Sequence, residues 1–373
     1  MAYSSRLRQA VGEVRKSFDR AGIEMADARF AQHGKHDTDP DAPLVMVACS
    51  GGRDSMALAA VAHIVCSSMG LRCGAIIVDH NLQKGSGDVA AEAAQRCEVL
   101  GLNPVMVRNI RVQETGKGME AAARQARYEA IVDKAHNLDA KAVLLAHTED
   151  DQAETVLIGL MRSSGIDAVS GMPERFNRDG VLFLRPFLAL TRAQTTGICE
   201  DLDIDWWDDP TNGEYEDRAT VLPRDFPLRS RVRHSLLPYM QEFNGGNLKS
   251  HLAQSSALIR ADKDYLDSQA DGVAKRTVSC ESMKGVAASY GAVQSDDVLA
   301  VRINAVQLSH EHESIRWRVI VRALSILDIE ASSRHVQAID QLIMQWHGQG
   351  PVTLPSCYSA FRKNHVIRLC QDS

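Results

Sequence analysis

The chain has eight cysteines but no C-x-x-C pair. Cys49, Cys66, Cys73, Cys97, Cys199, Cys280, Cys357 and Cys370 are scattered, most of them in apolar surroundings. That scatter argues against a zinc site, an iron–sulfur cluster or a disulfide scaffold. No apolar run approaches the length of a membrane span. The first residues, MAYSSRLRQAVGEVRKSFDRAG, are charged and amphipathic and lack a signal-peptide core, so a cytoplasmic protein with no membrane partner is expected. There is no basic excess: the net charge is −6, so any attraction for nucleic acid must be local. Internal repeats and low-complexity segments are missing as well. What is present, 373 residues with 45% hydrophobic content, suits a globular protein of two or three domains.

The most informative stretch is Leu44–Leu58, LVMVACSGGRDSMAL. A short apolar run, Leu44–Cys49, ends in Ser50-Gly51-Gly52-Arg53-Asp54-Ser55, and a helix-compatible run follows. Strand, Gly-rich turn and helix together aim backbone N–H groups at phosphate. Gly51 and Gly52 permit a tight turn and close backbone approach, and Ser50 and Ser55 add hydroxyl donors. No Gly-Lys-Ser/Thr follows, which excludes a Walker A loop. Asp54 is a carboxylate among phosphate-binding groups, tolerable where a divalent cation intervenes, so the turn predicts a nucleotide together with Mg²⁺. The bland alternative is a Gly-Gly turn capped by Ser and Asp.

Strand signals fall at Leu44–Cys49, Arg72–Val78, Asn103–Val107 and Ala142–Ala146, separated by helical patterns at Met56–Met69, Asp88–Leu100, Glu120–His136 and Gln152–Met161. This alternation predicts an α/β fold, a parallel sheet with helices on both faces. Ligands of such sheets collect outside the carboxyl ends of the strands. The unusual polar clusters sit there: SGGRDS, Asp79-His80-Asn81, and His147 with the acids after it. Residues 1–43 read as a helix and lead-in, 44–243 as the catalytic domain, and 248–373 as a smaller helical or α+β part beyond Asn244-Gly245-Gly246-Asn247. In that part 248–270, 313–327 and 334–346 read as helices and the tail as strands. Trp317, Val321 and Leu324 make one expected buried stripe, and Ile339, Leu342 and Trp346 another.

Three further constellations carry chemistry. Glu149, Asp150, Asp151 and Glu154 place four carboxylates in six residues beside His147. On a helix starting near Asp150, Asp151, Glu154 and Thr155 share a face, and clustered carboxylates imply cations, either Mg²⁺ or a cationic substrate. N-terminal helix capping explains one or two such acids. Glu120 and Arg124 form an i, i+4 pair with Arg127 near the same face. Arg218, Arg224, Arg229, Arg231 and Arg233 fall within sixteen residues, opposed only by Asp225, which favours an anionic partner such as a phosphate backbone. The turn Asp205-Trp206-Trp207-Asp208-Asp209 before them suits either base stacking or core packing of its tryptophans.

SGGRDS matches the SGGxDS loop of the N-type ATP pyrophosphatases, the PP-loop superfamily. Val78–His80 (VDH), Glu120–Tyr128 (EAAARQARY), Ala146–Leu157 (AHTEDDQAETVL) and Met161–Gly165 (MRSSG) extend the match in order. Arg185–Leu188 (RPFL), Asp208–Asn212 (DDPTN) and Arg229–Pro238 (RSRVRHSLLP) continue it. Together they resemble the tRNA(Ile)-lysidine synthase family, strongly over residues 44 to about 240 and weakly to the tail. The chain departs from the family pattern at Gln83, where a basic residue is usual and Lys84 follows, at Ser163 in RSSG, and in an extra stretch, 219–227. That stretch contains Arg224 and separates Arg218 from the Arg229–Pro238 match.

The resemblance implies a C–N bond-forming ligase. ATP adenylates the wobble cytidine of the CAU anticodon of tRNA(Ile), and L-lysine then displaces AMP. It implies Asp54, Arg127, Asp151 and Glu154 as catalytic residues, with Asp54 and Asp151 on Mg²⁺. It implies nucleotide contacts from Ser50, Gly51, Gly52, Arg53, Asp54, Ser55, Asp79, His80 and His147, and tRNA contacts from Arg229, Arg231 and Arg233. A homodimer is one option for its assembly. The alternatives are another PP-loop adenylating enzyme, amidating a small molecule, and a non-catalytic tRNA-binding protein. Sulfur transfer is disfavoured by the missing cysteine pair.

Overall fold

The computed structural model describes residues 3–32, 36–81, 85–111, 119–163, 165–210, 221–282, 287–290, 298–330 and 332–371. Gln83, Lys84, Thr211, Asn212, Arg218 and the first two residues of the 219–227 stretch lie outside them, as does the side chain of Glu120.

The chain forms two compact units, residues 1–259 and 260–373. In the first, α1 (Ser5–Ala21) precedes β1 (Leu44–Ala48), α2 (Arg53–Met69), β2 (Arg72–Asp79), α3 (Ser86–Val99) and β3 (Val105–Asn109). Then come α4 (Met119–Asn137), β4 (Ala140–Leu144), α5 (Glu149–Arg162), α6 (Ile166–Val169), β5 (Arg175–Arg178), β6 (Val181–Leu184) and α7 (Arg192–Asp201). A continuous helical stretch follows: α8 (Leu228–Arg231), a π-helical turn (Val232–Leu236) and α9 (Leu237–Asn244). The next helix, α10 (Leu248–Thr277), contains the division between the units.

The strand order is β3-β2-β1-β4-β6-β5, parallel throughout except for β5, which returns antiparallel along the edge. The reason is the period-two alternation of buried residues. Val45 and Val47 of β1, with Ala142 and Leu144 of β4, face a core built on α2. Leu44, Met46 and Val143 face the opposite core, which includes Tyr128 and Ile131 of α4. The order reverses between β1 and β4. The crevice at their carboxyl ends is the topological switch point where such sheets bind ligands. SGGRDS and the acidic cluster therefore become neighbours although about a hundred residues separate them.

The N-terminal helix is part of this unit. Leu7, Ala10, Val14 and Phe18 recur at helical spacing and are buried in the α2 core. Ser4 caps the helix by accepting from the Leu7 N–H, and Gly22 closes it at φ +69°. The sequence reading found four strands and missed β5, β6 and α7. The two missed strands are four residues each, too short to show alternation.

The second unit is α+β. Its antiparallel sheet runs β10 (Val352–Leu354), β11 (Tyr358–Lys363), β12 (Val366–Gln371), β9 (Val298–Asn304), β7 (Val278–Ser282), β8 (Ala287–Ser289). Helices α11 (Ala305–Ser309), α12 (Glu313–Ser325) and α13 (Ser333–Met344) accompany it. The expected stripes are corrected in part. Val321 is 48% exposed and Trp346 41%, while Ile315, Val319, Ile320 and Ala323 form the buried face of α12 with Leu324. The apolar pattern misled because Arg316 also lies on that face, held by both oxygens of buried Asp340 at 2.6 and 2.9 Å.

Phe18→Ala should lower the stability of the first unit by about 3–5 kcal/mol, the ordinary cost of emptying a buried aromatic site. Urea unfolding measures it. A loss below about 0.5 kcal/mol would show α1 to be peripheral.

Candidate active site

The Gly-rich turn wraps around one hydroxyl. Ser55 Oγ donates to the Gly52 carbonyl (2.8 Å), accepts from the Ser50 N–H (3.2 Å) and lies 3.3 Å from Ser50 Oγ. Gly51 is required: it sits at φ +79°, and a Cβ there would lie 2.9 Å from Ala93 Cβ of α3. Gly52 has ordinary backbone angles, φ −77° and ψ 162°, and a Cβ would meet nothing closer than 3.6 Å within the protein. The turn leads directly into α2, whose N-terminus favours anions.

Arg53 does not face the turn's crevice freely. Its Nη2 donates to Asp208 Oδ1 at 2.7 Å, and Trp206 Nε1 donates to the same oxygen at 3.0 Å. The Trp207 N–H donates to the Gly51 carbonyl at 2.9 Å. The acidic aromatic turn is thus a strap on the loop, and Trp206 packs against the α2 core. Asp79, also expected to contact nucleotide, is buried and accepts from the Asn81 N–H at 2.9 Å, closing the end of β2.

The acids lie across the crevice. Thr148 and Asp151 form a capping box: Asp151 Oδ2 accepts from the Thr148 N–H and hydroxyl, both at 2.9 Å. Capping therefore accounts for one oxygen of Asp151 and for none of Asp54, Asp150 or Glu154. Arg192, at the start of α7, accounts for the rest. Its guanidinium reaches Asp54 (3.4 Å), Asp151 (3.1 Å) and Glu154 (3.5 Å), and its backbone N–H donates to Asp150 at 2.8 Å. Arg233 donates to both oxygens of fully buried Glu154, at 2.7 and 3.1 Å. Arg229 lies 3.6 Å from Glu154 and donates to Thr155 Oγ1 at 3.0 Å. Lys249 holds Asp150 at 2.6 Å. Four carboxylates face four cations.

Sequence reasoning missed Arg192, Thr195 and Lys249. Arg192 had a readable signal: Thr191 and Gln194 form a capping box that marks a helix start. Arg192 also changes the metal expectation, because it occupies the ground between Asp54 and Asp151. Among the described residues no three of His, Cys, Asp or Glu converge as metal ligands. The two carboxylates differ, however. Burial alone would raise Asp151, but Arg192 and its neighbours hold it far below the usual range. Burial raises Asp54, and Arg192 with the Thr195 hydroxyl does not cancel it. Asp54 is the acid still short of positive charge.

A cavity of about 210 Å³ opens beside the turn, lined by Ser50, Asp54, Arg124, Arg127, Tyr128 and His147 among others. The arginines at and behind this cavity are held differently. Arg127 donates from Nε and Nη2 to His80 Nε2, at 3.0 and 2.8 Å, and Arg185 donates to His147 Nδ1 at 3.2 Å. An imidazole that accepts from a guanidinium must be neutral. Burial, then the arginine neighbour, depresses His80 to about 4; burial depresses His147 to about 3. Arg124 and Arg127 both line the cavity; Arg124 stacks on Tyr128 with its guanidinium carbon 5.2 Å from the ring centroid, and Arg127 is held by a neutral imidazole. Arg127 shares the cavity with Asp54, whereas Asp151 and Glu154 do not line it.

The three arginines expected on tRNA divide. Arg229 and Arg233 lie on the acids. Arg231 has no ion-pair partner among the described residues, and its Nε is buried without a hydrogen bond.

A parallel α/β sheet with a phosphate-type turn at its switch point is a nucleotide-binding architecture, and residues 25–240 match the family model for the PP-loop domain. ATP use follows from that class. The relatives narrow it. A tRNA(Ile)-lysidine synthase of Bifidobacterium longum subsp. infantis is 56% identical, covering 100% of this chain and 98% of its own. One from Bifidobacterium animalis subsp. lactis is 50% identical over 100% and 97%. One from Leifsonia xyli subsp. xyli is 40% identical over 90% and 92%. The chain belongs to the tRNA(Ile)-lysidine synthase family of PP-loop proteins. Among solved structures, the U34-tRNA thiolase NcsA from Methanococcus maripaludis shares the fold, with TM-score 0.50, 13% identity, and coverage of 69% of this chain and 80% of its own.

The two histidines set a pH dependence. Each titrates lower in the folded chain than in the unfolded one, near 6.5, so the unfolded state binds more protons below that pH. Their contribution is present above about pH 6.5 and is lost as pH falls toward 4 for His80 and 3 for His147. His63, shifted down by burial, adds to it. The melting temperature should fall between pH 7 and 5, with the raised Asp54 acting in the opposite direction. His80→Gln/His147→Gln should flatten that fall, and a wild-type profile level over this interval would contradict the assignment.

Proposed function

We propose that this chain ligates L-lysine to C2 of the wobble cytidine in the CAU anticodon of tRNA(Ile). The cytidine O2 attacks the α-phosphorus of ATP and pyrophosphate leaves. The lysine amine then attacks C2, and AMP departs with that oxygen, so a C–N bond replaces the C–O bond. The observation that carries the reading is the opposition across one crevice. A Gly-rich turn with Arg124 and Arg127 beside it lies across from buried acids that already hold cationic groups. The first side suits triphosphate and the developing charge of adenylation. The second suits the ammonium of lysine, whose binding at Asp151 and Glu154 would replace a guanidinium contact with a like charge. No helix among the described residues is long and apolar enough to cross a membrane, and a cytoplasmic site of action is part of the proposal.

Mg²⁺ is proposed to accompany ATP, with Asp54 as the carboxylate that receives it, because Asp54 lines the cavity beside the Gly-rich turn and burial raises it despite Arg192. Bound there, it would neutralise the leaving pyrophosphate. Asp151, already saturated by arginines and its capping bonds, fits that role poorly. Arg127, positioned by His80, is proposed to face the reacting phosphate.

Asp54→Asn and Asp54→Ala should abolish pyrophosphate release while the protein still folds. Metal-dependent ATP cleavage at the wild-type rate in either variant would sink the role given to Asp54. Glu154→Gln should raise the lysine concentration needed for half-saturation and leave tRNA affinity close to wild type. Unchanged lysine saturation would remove the acids from lysine recognition.

Arg231 is proposed to contact a tRNA phosphate. Arg231→Gln should flatten the log–log salt dependence of tRNA binding by about one unit and leave stability unchanged. Arg233→Gln should instead lower thermal stability, by about 3–5 kcal/mol, since it leaves Glu154 buried and under-paired. The reverse pattern would exchange the two roles.

A further inference from the structure

We propose that Tyr239 and Phe243 form a stacking platform for unpaired bases of the tRNA, a contact separate from the adenylation crevice. The inference rests on tRNA being the substrate, as proposed above. Tyr239 is 64% exposed and Phe243 84%. They stand one turn apart on α9 with ring centroids 6.4 Å apart and planes inclined by only 27°. The core does not need them. The inner side of α9 is Leu237 and Met240, packed in a small cluster with Leu157, Val232 and Leu252. A single exposed apolar side chain is ordinary, but two nearly parallel aromatic rings facing solvent form a surface that an aromatic base can cover.

Continuity and charge identify the occupant. The helical stretch that ends in α9 begins with the segment whose Arg229 and Arg233 touch the crevice acids. At about 1.5 Å per residue the rings lie roughly 12–18 Å along the helix from Arg231. Arg231 is the one arginine of that segment without an ion-pair partner among the described residues. Exposed Glu242 stands between the rings in sequence and disfavours a phosphate against them. The rings therefore suit the base side of a single strand whose backbone is held elsewhere. A base has a π-face whatever its identity, so this contact positions the loop and does not read its sequence.

The test uses the full chain and an unmodified tRNA(Ile) transcript, with binding measured at several salt concentrations and self-association measured on the protein alone. Wild type must bind the transcript; failure there would overturn the tRNA reading itself. Given wild-type binding, Tyr239→Ala and Phe243→Ala should each weaken affinity about tenfold, and the double variant about a hundredfold. The log–log salt slope should not change, because no phosphate contact is lost. Tyr239→Phe and Phe243→Trp should bind within about twofold of wild type, since the π-face is kept. Wild-type affinity in the double alanine variant would overturn the proposal, as would a slope reduced by about one unit. Loss of self-association in the double variant would also overturn it, in favour of a contact between two copies of this chain.

Discussion

The crevice depends on one cation. Arg192 reaches Asp54, Asp151 and Glu154 at once, while its backbone N–H closes on Asp150. These acids come from two helices, α2 and α5, that follow different strands, so Arg192 joins the phosphate turn to the acidic cluster. Without it Asp54 would lose the guanidinium beside it, and Asp151 and Glu154 would be left to Arg229 and Arg233. The strand order brings the acids together, and the guanidinium makes that proximity tolerable. Arg192 thus stands between the two carboxylates from which the sequence reading expected metal ligation.

Two strategies for holding arginine coexist within one crevice. On the acidic side carboxylates neutralise Arg192, Arg229 and Arg233. On the cavity side His80 and His147 accept from Arg127 and Arg185 and contribute no negative charge. An imidazole fixes the direction of a guanidinium while leaving its field intact. The two sides of the crevice therefore hold their arginines by different chemistry.

The sequence revealed the sheet because strongly apolar strands alternate with helices of ordinary length. It revealed the turn because a Gly at positive φ and the Ser55 hydroxyl are local requirements, visible in six residues. It did not reveal Arg192, whose importance comes from three partners that are distant in sequence. Nor did it reveal the role of Arg53, which is set by Asp208, some 155 positions away. The strap formed by Trp206, Trp207 and Asp208 was open to two readings for the same reason: composition cannot say whether an indole meets a base or its own protein. Long-range ion pairs decide these cases, and they have no local signature.

The arginine-rich segment was one patch in the sequence and is two sets of residues in the structure. The division follows from helical geometry. Residues four apart share a face, and a residue midway between them points about the opposite way. Arg229 and Arg233 are such a pair, and both turn toward α5, where Thr155 and Glu154 receive them. Arg231 lies between them and has no ion-pair partner among the described residues. A charge count over sixteen residues adds all of these together, although two of the cations balance buried acids and contribute little field outside. The attraction for an anionic partner in this segment therefore rests on fewer residues than its composition suggests. A net-acidic chain that binds nucleic acid with few free cations needs contacts of another kind, and exposed aromatic faces on the same helical stretch supply one.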